Sequence, residues 1–238
     1  MSHFLGGNTS SGGRDYATTG EVNEADVPST AGAFAALKRL QEQGKVKHIG
    51  VSNFGVKQLQ EALACGVKIA VNQLAYNLIF RAIEFEILPF CRENNIQVIV
   101  YSPLMQGLLT GRWLSTEEIP SYRSRTRHFN SANNPKSRHG EEGHEELLFQ
   151  TITKLNEIAE RAQIPLADLA LAWPLHILGI ECVIVGATKA DQVDKNTDAV
   201  NLELSEDLVN ELNAATNDLK QAMGPNCDLW QGQDSRIS

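Results

Sequence analysis

The chain has 238 residues, of which 42% are hydrophobic and 21% are charged, a composition typical of a globular protein with one large domain or two small ones. Its formal net charge of -8 argues against a nucleic-acid partner, and the absence of any run of eighteen apolar residues argues against a membrane span. The start lacks the pattern of a signal peptide, and four widely spaced cysteines are typical of reduced thiols, so we expect a cytoplasmic protein.

The first half of the chain alternates helices and strands after an irregular start. Residues 1–27 are rich in Gly, Ser and Thr and predict a loop. Ser29 predicts the N-cap of a first helix, and Gly44 predicts its end in a left-handed conformation. A second helix is predicted to end at Gly66, and a third to break or bend near Pro89. Apolar runs predict strands near residues 46–51, 69–73 and 96–101.

The second half begins with a long polar stretch, residues 115–145, and continues with helices. Strong helical patterns are followed by a strand near residues 182–185, a further helix, and a last helix with Ser205 as its cap. The remaining residues predict a loop. We therefore divide the chain into an irregular start, a main unit and a tail, with the boundaries 1–27, 28–220 and 221–238.

The order of these elements predicts an α/β fold. Strands that alternate with helices at this spacing are typical of parallel βα units, and nearly continuous apolar strands are typical of a sheet covered on both faces. In parallel sheets, ligands bind where the strands end. Polar residues stand at those ends in this sequence, namely Ser52, Asn53, Gln73, Tyr101, Ser102 and Thr188.

The number of strands predicts an incomplete barrel. A (β/α)8 barrel typically needs about 250 residues, yet only four convincing strands are found in the sequence. Four βα units form half a barrel, which leaves two open sheet edges and one uncovered face. We therefore expect the chain to self-associate through those edges.

Five segments resemble successive motifs of the aldo-keto reductase family. They are GKVKHIGVSNF, VNQLAYNL, VYSPLMQGLLTGRW, LALAW and VIVGATKADQVDKNTDAV, and they follow the family order over about residues 27–215. The resemblance implies a TIM-type (β/α)8 barrel that reduces a small-molecule carbonyl substrate with NADP(H). The GRDY segment and the long insertion look most like the bacterial and plant reductases related to potassium-channel β subunits.

The resemblance implies that Ser52, Asn53 and Gln73 hold the nicotinamide carboxamide, which needs hydrogen-bond donors and acceptors in a fixed plane. It also implies that the ring of Tyr101 stacks on the nicotinamide. Simpler interpretations remain open for two of them. Asn53 can cap the following helix, and Tyr101 can be a core tyrosine with a bonded hydroxyl.

Two further segments match the phosphate-binding parts of the family. Gly107 and Gly111 let the backbone approach a ligand closely, and free N–H groups in such a turn attract anions. The first segment therefore implies a pyrophosphate loop that contains Ser102, Pro103, Leu104, Gln106, Gly107 and Arg112. The second opens a helix, whose N-terminus attracts phosphate, and it contributes Gly186, Ala187, Thr188, Lys189, Gln192 and Asn196. The charge of Lys189 favours the 2′-phosphate of NADP over NAD.

The sequence departs from the family pattern at two positions, and one long segment has two interpretations. Lys195 and Ala75 stand where many relatives have Glu, which weakens the adenine contact and the local orientation of the site, respectively. Residues 115–145 are either a lid over the cofactor phosphates or a mobile surface loop. The histidines of this segment lack the spacing of a metal site.

The reaction also needs a proton donor, which the family provides with an Asp, Tyr, Lys and His tetrad. No segment of this sequence matches that tetrad well: His3 fits poorly, and Tyr16 matches a loop residue instead. The sequence therefore predicts no catalytic residue. It is compatible with an N-terminally truncated reductase, with a non-catalytic or regulatory NADP-binding module, or with an unrelated α/β protein whose motifs are accidental.

Overall fold

The computed structural model describes residues 4–6 and 29–232, which form one parallel sheet with helices packed against one of its faces. The strands are β1 (Phe4–Gly6), β2 (Ile49–Ser52), β3 (Ile69–Ala75), β4 (Gln97–Tyr101) and β5 (Ile180–Ile184). The helices are α1 (Thr30–Glu42), α2 (Val56–Ala64), α3 (Ile87–Glu93), α4 (Glu145–Ala162), α5 (Leu166–Ala172), α6 (Ala190–Val200), α7 (Glu206–Ala215) and α8 (Asn217–Met223). None of the described helices is long and apolar enough to cross a membrane.

The sheet confirms the predicted α/β class, because its strands pair in parallel in the sequential order β1-β2-β3-β4-β5. A helix follows each of β2, β3, β4 and β5 along the chain, as in successive βα units of a barrel. Because the strands are parallel, their carboxyl ends lie at one edge of the sheet. The residues that follow these strands therefore meet at one edge.

The prediction of four strands is wrong by one. Phe4–Gly6 forms the short strand β1, which pairs with β2 from Phe4 opposite Gly50 to Gly6 opposite Ser52. Three residues are too few to show a strand periodicity, and the partner lies more than forty positions further along the chain. The rest of the predicted irregular start, including His3 and Tyr16, lies outside the described residues.

The predicted helix caps are confirmed by hydrogen bonds and backbone angles. The Ser29 hydroxyl accepts a hydrogen bond from the Gly32 N–H at 3.1 Å, and the Ser205 hydroxyl accepts one from the Leu208 N–H at 3.2 Å. Gly44 follows α1 with a φ of 70°, in the left-handed region that favours glycine. Local capping chemistry thus determines where these helices begin and end.

Two helical predictions need correction. The break predicted near Pro89 lies before it, between a 3₁₀ turn (Ala82–Glu84) and α3. Pro89 sits in the first turn of α3, where its missing N–H would have no helical partner in any case. The single last helix predicted from Ser205 divides at Thr216 into α7 and α8, and α8 extends to Met223, inside the predicted tail.

The two faces of the sheet differ in burial. Side chains alternate between the two faces of the sheet, and those on the face that packs against the helices are buried. They include Val51, Leu74, Val98 and Val100. On the opposite face, Val71, Ile99 and Tyr101 are only partly buried, Cys182 is exposed, and Ile184 is 40% exposed. The helices and one face of the sheet therefore enclose the core, and the other face is open in the described part of the chain.

The polar stretch of residues 115–145, called the insertion below, packs against residues 223–229 near the C-terminus. Arg127 donates to the carbonyl oxygens of Met223 and Asn226 at 3.0 and 2.8 Å and pairs with Glu141 at 2.9 Å. The backbone N–H of Arg127 also donates to the Leu229 carbonyl at 3.0 Å. The insertion is thus tied into the fold, and Cys227, Asp228 and Leu229 of the predicted tail are buried. Residues 233–238 lie outside the described residues.

Candidate functional site

Three of the predicted site residues lie on one face of the sheet near its carboxyl edge. Ser52 of β2 is in register with Gln73 of β3, and Gln73 is in register with Ile99, two residues before Tyr101 on β4. Because side chains alternate between the faces of a strand, Ser52, Gln73 and Tyr101 share the open face. Within the described residues, the side chains of Ser52 and Gln73 have no hydrogen-bond partner.

Tyr101 and Asn53 are joined directly. The Tyr101 hydroxyl donates a hydrogen bond to the Asn53 side-chain oxygen at 2.9 Å, and the Asn53 N–H donates to the Gln73 carbonyl at 2.9 Å. Burial raises the pKa of Tyr101 to about 12, so the phenol stays protonated at neutral pH. The bonded hydroxyl agrees with the simpler interpretation of Tyr101, while the half-buried ring remains on the open face. Asn53 makes no capping bond of its own at α2, where Gln58 accepts from the Gly55 N–H at 3.0 Å instead.

The backbone at this edge adopts unusual conformations. Asn53 has a φ of 56° and Ser102 a φ of 58°, and both directly follow or end a strand. Met105, Gln106 and Gly107 continue with φ angles of 43°, 54° and 97°. Left-handed residues other than glycine cost free energy and cluster at functional sites. The concentration of such residues after β2 and β4 therefore marks this edge as the candidate site.

Gly107 lies against a cluster of arginine and aromatic side chains. A Cβ atom at this position would lie 3.0 Å from Nη1 of Arg123 and 3.2 Å from the Trp113 ring. Arg123 donates a hydrogen bond to the Gln106 carbonyl and lies over the rings of Trp113 and Tyr122, at 5.1 and 5.4 Å from their centres. Its buried Nε has no hydrogen-bond partner in the part of the chain that the structure describes. A positive charge and an unused donor thus lie beside the predicted phosphate turn.

Arg112, the arginine predicted from the sequence, lies over the same Trp113 ring at 5.5 Å and is exposed. Arg123 was not predicted, although it makes more contacts with the turn. Its position directly after Tyr122 was the only local signal, but the insertion contains several arginines and the sequence does not distinguish them. Pro103 is buried, while Leu104 and Gln106 are half-buried within the turn.

The start of α6 is capped by one of the predicted residues. The side-chain oxygen of Gln192 accepts hydrogen bonds from the N–H groups of Thr188 and Lys189 at 2.7 and 3.2 Å, and from the Thr188 hydroxyl at 3.1 Å. Lys189 is exposed, and within the described residues it forms no ion pair. The half-buried Asn196 lies one helical turn after Gln192. Gly186 and Ala187 are exposed in the loop that follows β5.

A buried histidine, His128, joins the insertion to the loop that follows β3. Nε2 of His128 donates to the Ile79 carbonyl at 2.8 Å, so Nδ1 accepts from the Thr126 hydroxyl at 3.2 Å. Full burial lowers the pKa of His128 to about 4, and the neutral ring packs against Phe80. His128 therefore serves as an anchor. Within residues 29–232, no three His, Cys, Asp or Glu side chains are grouped to hold a metal ion.

The arrangement fits a dinucleotide with an amide at one end and phosphates at the other. Within residues 4–6 and 29–232, Ser52 and Gln73 leave polar groups without protein partners near a partly exposed tyrosine ring. Arg123 leaves an unused donor beside the turn at Gly107. The first set suits a carboxamide and the second suits an anion. The residues present therefore fit a nicotinamide dinucleotide.

Comparison with known proteins shows the family of this chain. Residues 17–217 match the Aldo/keto reductase family. The chain is 33% identical to an NADH-specific methylglyoxal reductase of Escherichia coli over 74% of this chain and 50% of the relative, and 36% identical to a probable aldo-keto reductase of Glycine max over 71% and 46%. The chain thus spans about half the length of these relatives.

Solved structures share the fold over a similar span. A glycerol dehydrogenase from Gluconobacter oxydans superposes with a TM-score of 0.64 and 25% identity, over 86% of this chain and 57% of that one. A thermostable aldo-keto reductase superposes with a TM-score of 0.57 and 23% identity, which shows the barrel-type fold alone. The matched family model covers most of the sequence, including every predicted site residue. The chain belongs to the aldo/keto reductase family.

Proposed function

We propose that this chain binds NADP(H) at the carboxyl edge of its sheet and serves the reduction of aldehydes or ketones. The observation that carries the proposal is the Tyr101–Asn53 hydrogen bond of 2.9 Å beside Ser52 and Gln73. This contact holds the Tyr101 ring and the Asn53 amide together, and the register of the strands places Ser52 and Gln73 at the same edge. Family membership supports an oxidoreductase activity, and a nicotinamide cofactor supplies the hydride in such a reaction.

Each group of residues has a role in this proposal. Ser52, Asn53 and Gln73 hold the carboxamide, and the ring of Tyr101 covers one side of the nicotinamide so that the other side faces the substrate. The turn at Gln106 and Gly107 holds the pyrophosphate, with Arg112 and Arg123 to balance its charge. The backbone N–H groups at the start of α6 and the charge of Lys189 hold the adenosine phosphates.

A second candidate function is a non-catalytic NADP-binding or regulatory module, and one observation favours it. A proton donor works best when its pKa lies near the working pH. Two of the described tyrosines, Tyr76 and Tyr101, have a raised pKa through burial, and their hydroxyls are committed to Glu84 and Asn53. His128 is buried and neutral. These groups do not provide the acid for reduction.

Cofactor oxidation and cofactor binding, measured together, test the proposal. The chain is titrated with NADPH, and oxidation of NADPH in the presence of 4-nitrobenzaldehyde is followed by absorbance. Binding with turnover supports the reductase, and binding without turnover supports the module. A chain that keeps its fold and does not bind NADPH contradicts both.

A further inference from the structure

Asn72 holds the backbone that follows β2. This side chain is fully buried, its Nδ2 donates to the Phe54 carbonyl at 2.9 Å, and its oxygen accepts from the Phe54 N–H at 3.4 Å. Phe54 directly follows Asn53, whose left-handed φ of 56° would otherwise relax toward more favourable angles. One amide of β3 therefore satisfies both polar groups of the residue that comes after Asn53.

Asn77 does the same for the backbone that follows β4. It is fully buried, and its Nδ2 donates to the Ser102 carbonyl at 3.0 Å. Its oxygen accepts from the Ile79 N–H at 3.0 Å, which fixes the orientation of the amide. Ser102 has a left-handed φ of 58° and begins the turn that continues to Gly107. The residue after Asn53 and the carbonyl of Ser102 are thus each held by an asparagine in β3 or just after it.

Neither asparagine has a direct route to a ligand on the open face. Asn72 precedes Gln73 on β3, and side chains alternate between the faces, so Asn72 is on the face covered by helices. Both amides have no exposed surface in the structure. Any effect of these residues on a ligand must therefore act through Asn53 and Ser102.

We infer that Asn72 and Asn77 are positioning residues of the cofactor site: Asn72 places the Asn53 amide beside Tyr101, and Asn77 places the turn that begins at Ser102. The inference rests on the proposed function, since it concerns the same site. The two residues act on different parts of that site: Asn72 acts on the nicotinamide part, and Asn77 acts on the part that leads to the phosphates.

Two ligands separate these roles. NADPH contains both halves of the cofactor, whereas adenosine 2′,5′-bisphosphate contains the adenosine phosphates without the nicotinamide. We expect Asn72→Leu to weaken NADPH binding about tenfold, the effect of misplacing a hydrogen-bonding group, and to change the affinity for the bisphosphate by less than about twofold. Asn77→Leu should weaken both ligands by about tenfold, because its turn leads into the phosphate loop.

The matched control is Thr151→Val on α4. Thr151 is 1% exposed and donates to the Leu147 carbonyl at 2.7 Å, so the change removes a buried hydrogen bond away from the sheet edge. We expect both affinities to match those of the wild type. All affinities are measured well below the melting temperature of each variant. If Asn72→Leu does not fold, Asn72→Ser receives the same titrations.

The outcomes distinguish the inference from the proposed function. If the wild type does not bind NADPH, the proposed function fails. If the wild type binds and Asn72→Leu binds NADPH equally well, or loses both ligands to the same extent, the role of Asn72 is wrong. If Asn77→Leu keeps the affinity of the wild type for both ligands, the role of Asn77 is wrong.

Discussion

Tyr101 links the ends of two strands that are separated by a third. Its hydroxyl bonds to Asn53 after β2, while its own strand β4 lies on the far side of β3. Because burial raises the pKa of Tyr101 to about 12, this hydrogen bond persists throughout the neutral range. The ring therefore presents a fixed apolar surface, which is what a stacked nicotinamide requires.

Lys189 provides a prediction on cofactor choice. The Escherichia coli relative is named NADH-specific, whereas the charge of Lys189 favours NADP(H) in this chain. If Lys189 contacts the 2′-phosphate, Lys189→Gln should weaken NADPH binding about tenfold and leave NADH binding unchanged. Parallel calorimetric titrations measure both affinities. Lys45→Gln, a change at an exposed lysine that precedes β2 and so lies toward the opposite edge of the sheet, is the control.

If Lys189→Gln loses affinity for NADPH and NADH to the same extent, Lys189 does not contact the 2′-phosphate. Unchanged affinity for both cofactors would show that Lys189 is not part of the cofactor site.

His128 provides a prediction on pH. Its pKa falls from 6.5 to about 4 on folding, so the unfolded chain binds a proton first as the pH drops. The contribution of His128 to stability is therefore lost between about pH 6.5 and pH 4, and amounts to about 3 kcal/mol. Urea unfolding of the wild type and His128→Gln at several pH values measures this slope. The variant should lose much of the slope.

The exposed His48 offers the control for this experiment. His48→Gln should keep the pH dependence of the wild type. A His128→Gln protein with the full wild-type slope would show that other groups cause the acid sensitivity.

Among individual residues, those at the strand ends could be predicted from the sequence, whereas the buried positioning residues could not. The apolar runs that end in Ser52, Gln73 and Tyr101 reveal strand ends directly. Asn72 stands inside such a run, and its partner Phe54 lies eighteen positions earlier. Nothing local distinguishes it from any other polar residue in a strand, so its role becomes visible only when the two strands are paired.

The elements most dependent on distant contacts are the insertion and the C-terminal segment. Arg127 is the residue that joins them, and its side chain is only 6% exposed. Arg127→Leu should lower the free energy of unfolding by about 3–5 kcal/mol, because it leaves Glu141 and two carbonyl groups without their donor. Equilibrium unfolding in urea measures the change.

Arg161→Leu is the matched control, because Arg161 forms an exposed ion pair with Glu211. Exposed pairs contribute about 1 kcal/mol or less. Equal destabilisation by the two changes would contradict the structural role assigned to Arg127.

Helices and strands whose signals come from nearby residues were predicted, and elements that depend on distant contacts were not. The strands β2, β3 and β4 and the caps at Ser29 and Ser205 depend on nearby residues and were found in the sequence. Strand β1 depends on its pairing with β2 and was missed. The sequence did not decide whether the insertion is a lid or a mobile surface loop. Its anchors, Arg127 and His128, bind partners that lie far away in the sequence.

One face of the sheet is open in residues 4–6 and 29–232, the part of the chain that the structure describes. It includes Ile184, which is 40% exposed, and the exposed Cys182, both on the strand β5. We propose that this face associates with a second copy of the chain, since exposed apolar sheet surface is unfavourable in water. Light scattering coupled to size exclusion should give a mass above that of one chain, and Ile184→Glu should lower it.

Leu178→Glu is the control, because Leu178 is 70% exposed but precedes β5 and lies outside the sheet. It should leave the mass unchanged. A wild-type chain that stays monomeric and does not bind a hydrophobic dye would contradict the association.

The central claim is that the carboxyl edge of this sheet holds a nicotinamide cofactor, and a calorimetric titration of NADPH into the wild type and Tyr101→Ala tests it most directly. The account predicts that the wild type binds and that Tyr101→Ala loses about 1–3 kcal/mol of binding free energy, the scale of a central contact residue. Phe149→Ala, on the outer helix α4, should bind as the wild type does. Equal affinity of Tyr101→Ala and the wild type, with both chains folded, would contradict the account.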